Sequence, residues 1–119
     1  MNKIKVAIVE DDSVWLKALT SFLNFQEDII VAEMATNKED AVNMARTSLV
    51  DVIIMDINLN ENKRDGILAA VEILESVKVK IIMLTSELKH ENYKHKYSVS
   101  SPIIFNRYFV SNSVLPQTN

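Results

Sequence analysis

The sequence predicts an α/β domain built on a doubly wound parallel sheet, and three observations lead to that prediction. Short β-branched runs alternate along the chain with segments of helical period. The runs are continuously apolar, which is typical of strands covered on both faces. No linker, repeat or shift in composition divides the 119 residues, so we expect one domain over residues 1–119. Such alternation predicts right-handed crossovers with helices on both sides of the sheet.

Each element is predicted from a local pattern. The strands are Ile4–Val9, Ile29–Met34, Val50–Met55, Lys80–Leu84 and, more weakly, Ile103–Phe105. Two helices are predicted from apolar residues at i, i+3, i+4 and i+7, namely Trp15, Ala18, Leu19 and Phe22, and Ile67, Ala70, Val71 and Leu74. Asn37 followed by Asp40 predicts a helix between these two, with Asn37 as its N-cap. Asp65 and Gly66 predict a turn that opens the helix near Ile67.

The last part of the chain fits this pattern poorly. Residues 87–97, ELKHENYKHKY, stand in the place of a fourth helix but are polar on nearly all sides. The tail FVSNSVLPQTN has no amphipathic period of useful length, and Pro116 disfavours a helix interior. A fifth helix is therefore missing or truncated, and we expect this chain to be the N-terminal part of a longer protein.

Composition excludes several classes of function. The net charge of −3 gives no electrostatic footprint for nucleic acid. The lack of cysteine excludes disulfides, thiol catalysis and cysteine metal sites. The apolar runs fall short of the roughly 20 residues that a membrane span needs, and acids interrupt the N-terminal stretch before a signal peptide could form. We therefore expect a cytoplasmic domain that binds neither nucleic acid nor membrane directly.

Acidic residues follow the first and third strands. Glu10, Asp11 and Asp12 come directly after one, and Asp56 ends the other. Functional groups in open parallel sheets collect beyond the carboxyl ends of the strands, near the switch point. If the first and third strands are neighbours, Glu10, Asp11 and Asp56 converge. Converging carboxylates without histidine or cysteine form a hard-oxygen site, for which Mg²⁺ or Mn²⁺ is the matching ion.

Further residues at strand ends are suited to take part in phosphoryl transfer at such a site. A carboxylate held by a metal beside a hydroxyl and a cationic side chain is suited to be an aspartyl-phosphate nucleophile. Thr85 ends the fourth strand and Arg107 follows the fifth, so both could share the charge on phosphoryl oxygens. Asp12 has a simpler interpretation, since an acid at a helix N-terminus caps the helix and favours its dipole.

The segments KVAIVEDDSVWLKAL, DVIIMDINL…DGILAAVEIL and KIIMLTSE together resemble the receiver domain of two-component response regulators. The resemblance covers residues 3 to about 90 well and the remainder poorly. It implies a flavodoxin-like fold, with a five-stranded parallel sheet in the order 2-1-3-4-5 and five surrounding helices. The first and third strands are neighbours in that order.

The resemblance also implies a role for each matching residue. Asp56 becomes the phosphoacceptor and Asp11 the direct Mg²⁺ ligand, while Glu10 assists through water. Asn58 would offer its backbone carbonyl to the metal, and Thr85 would be the switch hydroxyl that binds the phosphoryl group.

A receiver of this kind takes its phosphoryl group from a histidine kinase or a histidine phosphotransfer protein. It catalyses much of that transfer itself, and its own dephosphorylation, without being a classical enzyme. Phosphorylation is expected to reshape the surface around the fourth helix and fifth strand. A C-terminal effector domain outside this chain would carry the output.

The fifth-strand region departs from the family. Arg107 stands in place of the family lysine, and its planar fork differs from a point charge. The aromatic switch position falls on Ile104, or on Phe105 if the register slips by one residue. These departures favour an alternative, a degenerate receiver that binds proteins without phosphorylation. The intact acids, together with Thr85, oppose that alternative.

Two other classes share parts of the pattern. Hydrolases of the haloacid dehalogenase type also form an aspartyl phosphate, but they require a second acid where Asn58 stands. Flavodoxins need hydroxyls and glycines after the first strand to bind the flavin phosphate. The acids Glu10, Asp11 and Asp12 would repel that phosphate.

Overall fold

The computed structural model describes residues 2–59, 64–85 and 103–106. In chain order the elements are β1 (Ile4–Val9), α1 (Ser13–Asn24), β2 (Ile29–Ala35), α2 (Lys38–Thr47), β3 (Val52–Asp56), α3 (Asp65–Ser76), β4 (Lys80–Thr85) and β5 (Ile103–Asn106). The segment expected to form a fourth helix, 87–97, lies outside the described residues, and so does the tail in which a fifth helix was expected to be missing or truncated.

The five strands form one parallel sheet in the order β2-β1-β3-β4-β5. The flavodoxin-like fold with a switch point between β1 and β3 is therefore confirmed. The order in which strands are added to the sheet reverses at this point, because β2 lies on one side of β1 and β3 lies on the other. The carboxyl ends of β1 and β3 consequently lie side by side.

Helices cover both faces of the sheet. Val6 and Ile8 of β1 point into an apolar cluster with α1, and Ala7 and Val9 point into a larger cluster with α2 and α3. All four side chains are 4% exposed or less, so the centre of the sheet is covered on both faces as its continuously apolar sequence predicts.

The edge strand β2 differs from that prediction. Its burial alternates along most of its length, and Ile30 and Met34 are 41% and 55% exposed. A bulge at Ala32 shifts the register, since Val6 pairs with Val31 and Ala7 pairs with Glu33. The expectation of cover on both faces was therefore wrong for β2, because the position at the edge of the sheet leaves part of the strand to solvent.

The helical stripes are rotated slightly from their predicted positions. In α1, Ala18 is exposed while Leu16 and Leu23 pack against the core beside Leu19. In α3, Val71 is 39% exposed and Ile73 is fully buried. A helix lying on a sheet buries a broad face, so a four-residue stripe fixes its orientation only approximately. Trp15, Phe22 and Leu74 of the predicted stripes are half-buried, and Trp15 and Leu74 pack against the apolar clusters.

The N-termini of α2 and α3 can be compared with the helix starts predicted from the sequence. Asn37 caps α2, and its side-chain oxygen accepts a hydrogen bond from the Asp40 N–H at 2.8 Å, as predicted. Helix α3 begins at Asp65, which places Gly66 inside the first turn instead of in a preceding turn. Every helix in the described ranges is too short or too polar to span a bilayer.

Candidate functional site

Three carboxylates meet where β1 and β3 end. Glu10 and Asp11 follow β1, and Asp56 is the last residue of β3. Since the two strands are parallel neighbours with Val9 paired to Met55, both chains leave the sheet at the same edge. One oxygen from each of Glu10, Asp11 and Asp56 lies within 4.8 Å of the other two. The structure thus brings together the acids that the sequence places at these strand ends.

The three carboxylates differ greatly in exposure. Glu10 is 0% and Asp56 is 1% exposed, whereas Asp11 is exposed to solvent. Burial weakens the solvation of a charge, and nearby like charges repel one another. Holding the acids together therefore costs free energy that a bound cation would offset. The burial of Glu10 could not be predicted from the sequence.

Glu10 is fixed by the start of α1. Its Oε2 atom accepts a hydrogen bond from the Asp12 N–H at 3.1 Å, and its own N–H donates to the Ala35 carbonyl at 3.0 Å. Asp12 Oδ1 accepts from the N–H groups of Val14 at 2.9 Å and Trp15 at 3.3 Å. Asp12 is therefore the N-cap of α1, which confirms the simpler interpretation of this acid.

Asp56 is fixed by the chain that follows it. The Asn58 N–H donates a hydrogen bond of 3.0 Å to Asp56 Oδ1, and the Ile57 N–H donates to the Leu84 carbonyl at 3.0 Å. Asp56 itself pairs with Leu84 in the sheet. The half-buried Asn58 therefore lies next to the acid cluster through its backbone.

The backbone places Thr85 at the same edge of the sheet. Thr85 ends β4 and pairs with Asn106, one position beyond the pairing of Asp56 with Leu84. In β5, Ile104 pairs with Met83 and Phe105 pairs with Leu84. The side chains of Thr85, Ile104 and Phe105 lie outside the described part of the structure, as does Arg107 entirely. The expectations for these four side chains stay predictions.

The donor set fits a hard divalent cation. Mg²⁺ is bound at about 2.0–2.1 Å by oxygen ligands, so opposite ligands on one ion lie about 4.2 Å apart. The carboxylate oxygens of Glu10, Asp11 and Asp56, within 4.8 Å of one another, are close to that span. Carboxylates, backbone carbonyls and water are the ligands that Mg²⁺ and Mn²⁺ prefer.

Gly66 packs against the backbone of Asp56 and Ile57, and the sequence interpretation missed this contact. Gly66 is buried, and its N–H donates to the Ile57 carbonyl at 3.0 Å. The available signal was that Gly66 is the single glycine of the chain. A glycine after an aspartate is typical of an ordinary turn, so the local pattern gave no indication of the tertiary contact.

A family model described as the response regulator receiver domain matches residues 6–100. Protein-glutamate methylesterase/protein-glutamine glutaminase 1 of Vibrio vulnificus is 36% identical over 91 residues, which are 76% of this chain and 23% of that protein. The response regulator protein VraR of Staphylococcus epidermidis is 34% identical over 84 residues, which are 70% of this chain and 39% of that protein. The chain therefore spans less than half of the length of these relatives.

Solved structures show the same fold. The response regulator domain of Thermotoga maritima CheB superposes with a TM-score of 0.75 at 21% identity, over 98% of this chain and 85% of that one. The phosphorylated cyanobacterial phytochrome response regulator RcpA gives a TM-score of 0.74 at 18% identity, over 87% of this chain and 80% of that one.

Proposed function

Because this chain belongs to the response regulator receiver family, we propose that it accepts a phosphoryl group on Asp56 from a phosphohistidine of a partner protein. The donor is a histidine kinase or a histidine phosphotransfer protein. One observation carries the proposal. The Asp56 carboxylate is 1% exposed and is held by the Asn58 N–H within 4.8 Å of Glu10 and Asp11 oxygens.

The transfer exchanges one bond to phosphorus for another. An Asp56 carboxylate oxygen forms a bond to phosphorus while the bond from phosphorus to the histidine nitrogen breaks. The electron pair stays on the imidazole nitrogen, which takes a proton from solvent. Water later attacks the phosphorus of the acyl phosphate, so that inorganic phosphate leaves and the Asp56 carboxylate returns. The domain would thus return to its starting state without being a classical enzyme.

Glu10, Asp11 and Asp56 would hold Mg²⁺, or Mn²⁺ in its place, together with the backbone carbonyl of Asn58. The fit of the donor set supports this assignment. A bound divalent cation supplies positive charge beside the transferring oxygens and relieves the repulsion among the acids. Thr85 would bind the phosphoryl group through its hydroxyl, and Arg107 would supply the cation that the family takes from lysine.

The proposal extends to the rest of the protein. Residues 1–119 form a single receiver domain at the N-terminal side of a longer cytoplasmic response regulator. The larger sizes of the Vibrio and Staphylococcus relatives support an additional output domain.

Mass spectrometry of the intact protein tests the proposed function. After incubation with acetyl phosphate and Mg²⁺, we expect one added phosphoryl group in the unmodified protein. The Asp56→Asn variant and an EDTA-treated sample should show none. The matched control is Asp51→Asn, which removes an exposed acid just before β3 and should leave the adduct intact.

One outcome would favour the alternative function. If Mg²⁺ binds but no adduct forms with acetyl phosphate or a phosphorylated kinase, the site is a metal site without phosphoacceptor chemistry. The chain would then be a receiver that works as a binding module without phosphorylation.

A further inference from the structure

Gly66 occupies a tightly packed place between α3 and the chain that leaves β3. It is the second residue of α3, and its N–H donates a hydrogen bond of 3.0 Å to the Ile57 carbonyl. An added Cβ atom would lie 2.7 Å from both the Cα and the carbonyl oxygen of Ile57. It would approach the backbone carbonyl oxygen of Asp56 more closely still. All three of these atoms belong to the backbone, so no side chain can rotate away to make room.

Space, and not backbone conformation, is what requires glycine here. The φ angle of Gly66 lies outside the left-handed region, so an alanine would not strain the local backbone. Inside a helix, alanine is ordinarily the more stable residue. Any harm from Gly66→Ala must therefore come from displacing Asp56 and Ile57.

The displaced segment is the one that orients the candidate phosphoacceptor. Ile57 is held on one side by its N–H bond to the Leu84 carbonyl of β4 and on the other by Gly66. The next residue, Asn58, donates the hydrogen bond that fixes Asp56 Oδ1. A shift of Ile57 therefore moves both the Asp56 carboxylate and the N–H group that orients it.

We propose that Gly66 is a positioning residue for the acid site, because its missing side chain lets α3 support the Asp56–Asn58 backbone. This inference rests on the proposed function for its activity readout, but its geometric readout is independent of it. The bare Cα of Gly66 sets where the Asp56 carboxylate lies relative to Glu10 and Asp11. Displacements on the order of 1 Å can cost about 100-fold in a positioned reaction.

The geometric test follows the Asn58 amide by NMR in metal-free protein. The Asn58 N–H donates to a carboxylate, so its chemical shift reports the position of Asp56 Oδ1. Gly66→Ala should move this resonance strongly. Ile73→Val is the matched control, since it disturbs a fully buried position of the same helix two turns further on and should leave the Asn58 resonance in place. An unmoved Asn58 resonance in a folded Gly66→Ala protein would overturn the proposal.

The functional test compares the same two variants. Gly66→Ala should weaken Mg²⁺ binding, measured by calorimetry, about tenfold and slow phosphorylation by acetyl phosphate about 100-fold. Ile73→Val should change neither, even if it unfolds at lower urea. Equal losses in both variants would mean that Gly66 acts only through overall stability.

A third measurement uses the unaltered protein, in case Gly66→Ala does not fold. Coupling between two sites is reciprocal, so Mg²⁺ should slow hydrogen exchange of the Gly66 amide as well as that of Asn58. The amide of Val77, which donates to the Ile73 carbonyl at the other end of α3, measures the protection that comes from stabilisation of the whole domain, and the protection of Gly66 should exceed it. Protection of Asn58 and Val77 without Gly66 would refute the inference. A protein that binds Mg²⁺ but takes no phosphoryl group would refute the proposed function and leave this test standing.

Discussion

Glu10 and Asp56 are removed from solvent although each carries a carboxylate. A nearby exposed acid, Asp11, adds a third group of the same charge. Proteins tolerate such unfavourable groupings where function requires them, and a substitution that relieves them often stabilises the fold. Under the proposed function, the acid site would exchange stability of the metal-free protein for the ability to bind a cation.

Asp11→Asn tests this exchange at a single residue. In EDTA we expect the free energy of unfolding in urea to rise by about 0.5–1 kcal/mol, because one of three clustered charges is removed. Mg²⁺ affinity should fall at the same time. Asp28→Asn is the control, since it removes an exposed acid far from the cluster. A loss of stability for Asp11→Asn in EDTA would contradict this expectation, because it would show that other interactions of Asp11 outweigh its repulsion by the neighbouring carboxylates.

Single residues of the site also differ in how far their roles could be predicted from the sequence. Asp12 was identifiable as a cap because capping is local and depends on the next three residues. The burial of Glu10 and the packing of Gly66 depend on strands and helices far away in the chain. A tertiary contact of this kind leaves no local pattern.

At the scale of single helices and strands, the contacts at the N-cap of α2 can be related directly to stability. Asn37 accepts from the Asp40 N–H at 2.8 Å and donates its own amide to Asp40 Oδ2 at 2.9 Å. Helix α2 is therefore fixed at its start by a two-way contact. Its inner face, with Ala41, Val42 and Ala45, can then pack against the sheet and α3.

Substitutions of Asn37 separate the two halves of this contact. Asn37→Ala should lower the free energy of unfolding by about 1 kcal/mol, because it leaves the Asp40 N–H without its side-chain acceptor. Asn37→Asp should cost less than Asn37→Ala, because it keeps the side-chain acceptor. Some cost remains, because the new carboxylate would repel that of Asp40. Asn43→Ala, an exposed position inside the same helix, should be neutral or slightly stabilising. If both alanine variants behaved alike, the cap would contribute nothing measurable.

The positions of the strands along the chain were easier to predict than the faces of helices and strands that are buried. The predicted strand starts for β1, β2, β4 and β5 agree with the structure, because β-branched runs have clear limits. The inner face of α1 and the exposure of β2 were not predictable. The first depends on how a helix is rotated on the sheet, and the second on which strand lies at the edge.

At the scale of the whole molecule, the order of the strands creates the site. Acids separated by about forty-five residues in the chain meet because β1 and β3 are neighbours. Alternation of strands and helices predicted the fold class, but it does not by itself choose one strand order. The order came from the family resemblance, and the structure confirms it.

Mg²⁺ should stabilise the whole domain through this site. A ligand that binds only the folded state adds about 2.7 kcal/mol at 100 times its dissociation constant. We expect urea unfolding with saturating Mg²⁺ to shift by about this amount with an unchanged slope. Asp56→Asn should reduce the shift, and Asp51→Asn should not. An equal shift in all three proteins would place the stabilising ion elsewhere.

The identity of the phosphorylated residue is the central claim. It is tested most directly by treating the protein with acetyl phosphate and Mg²⁺, reducing it with borohydride, and sequencing its peptides by mass spectrometry. Borohydride converts an aspartyl phosphate into homoserine and so marks the acceptor permanently. We predict homoserine at position 56 and at no other acidic position. Homoserine at Asp11 instead, or no modified peptide under conditions in which Mg²⁺ binds, would contradict the assignment of Asp56 as the phosphoacceptor.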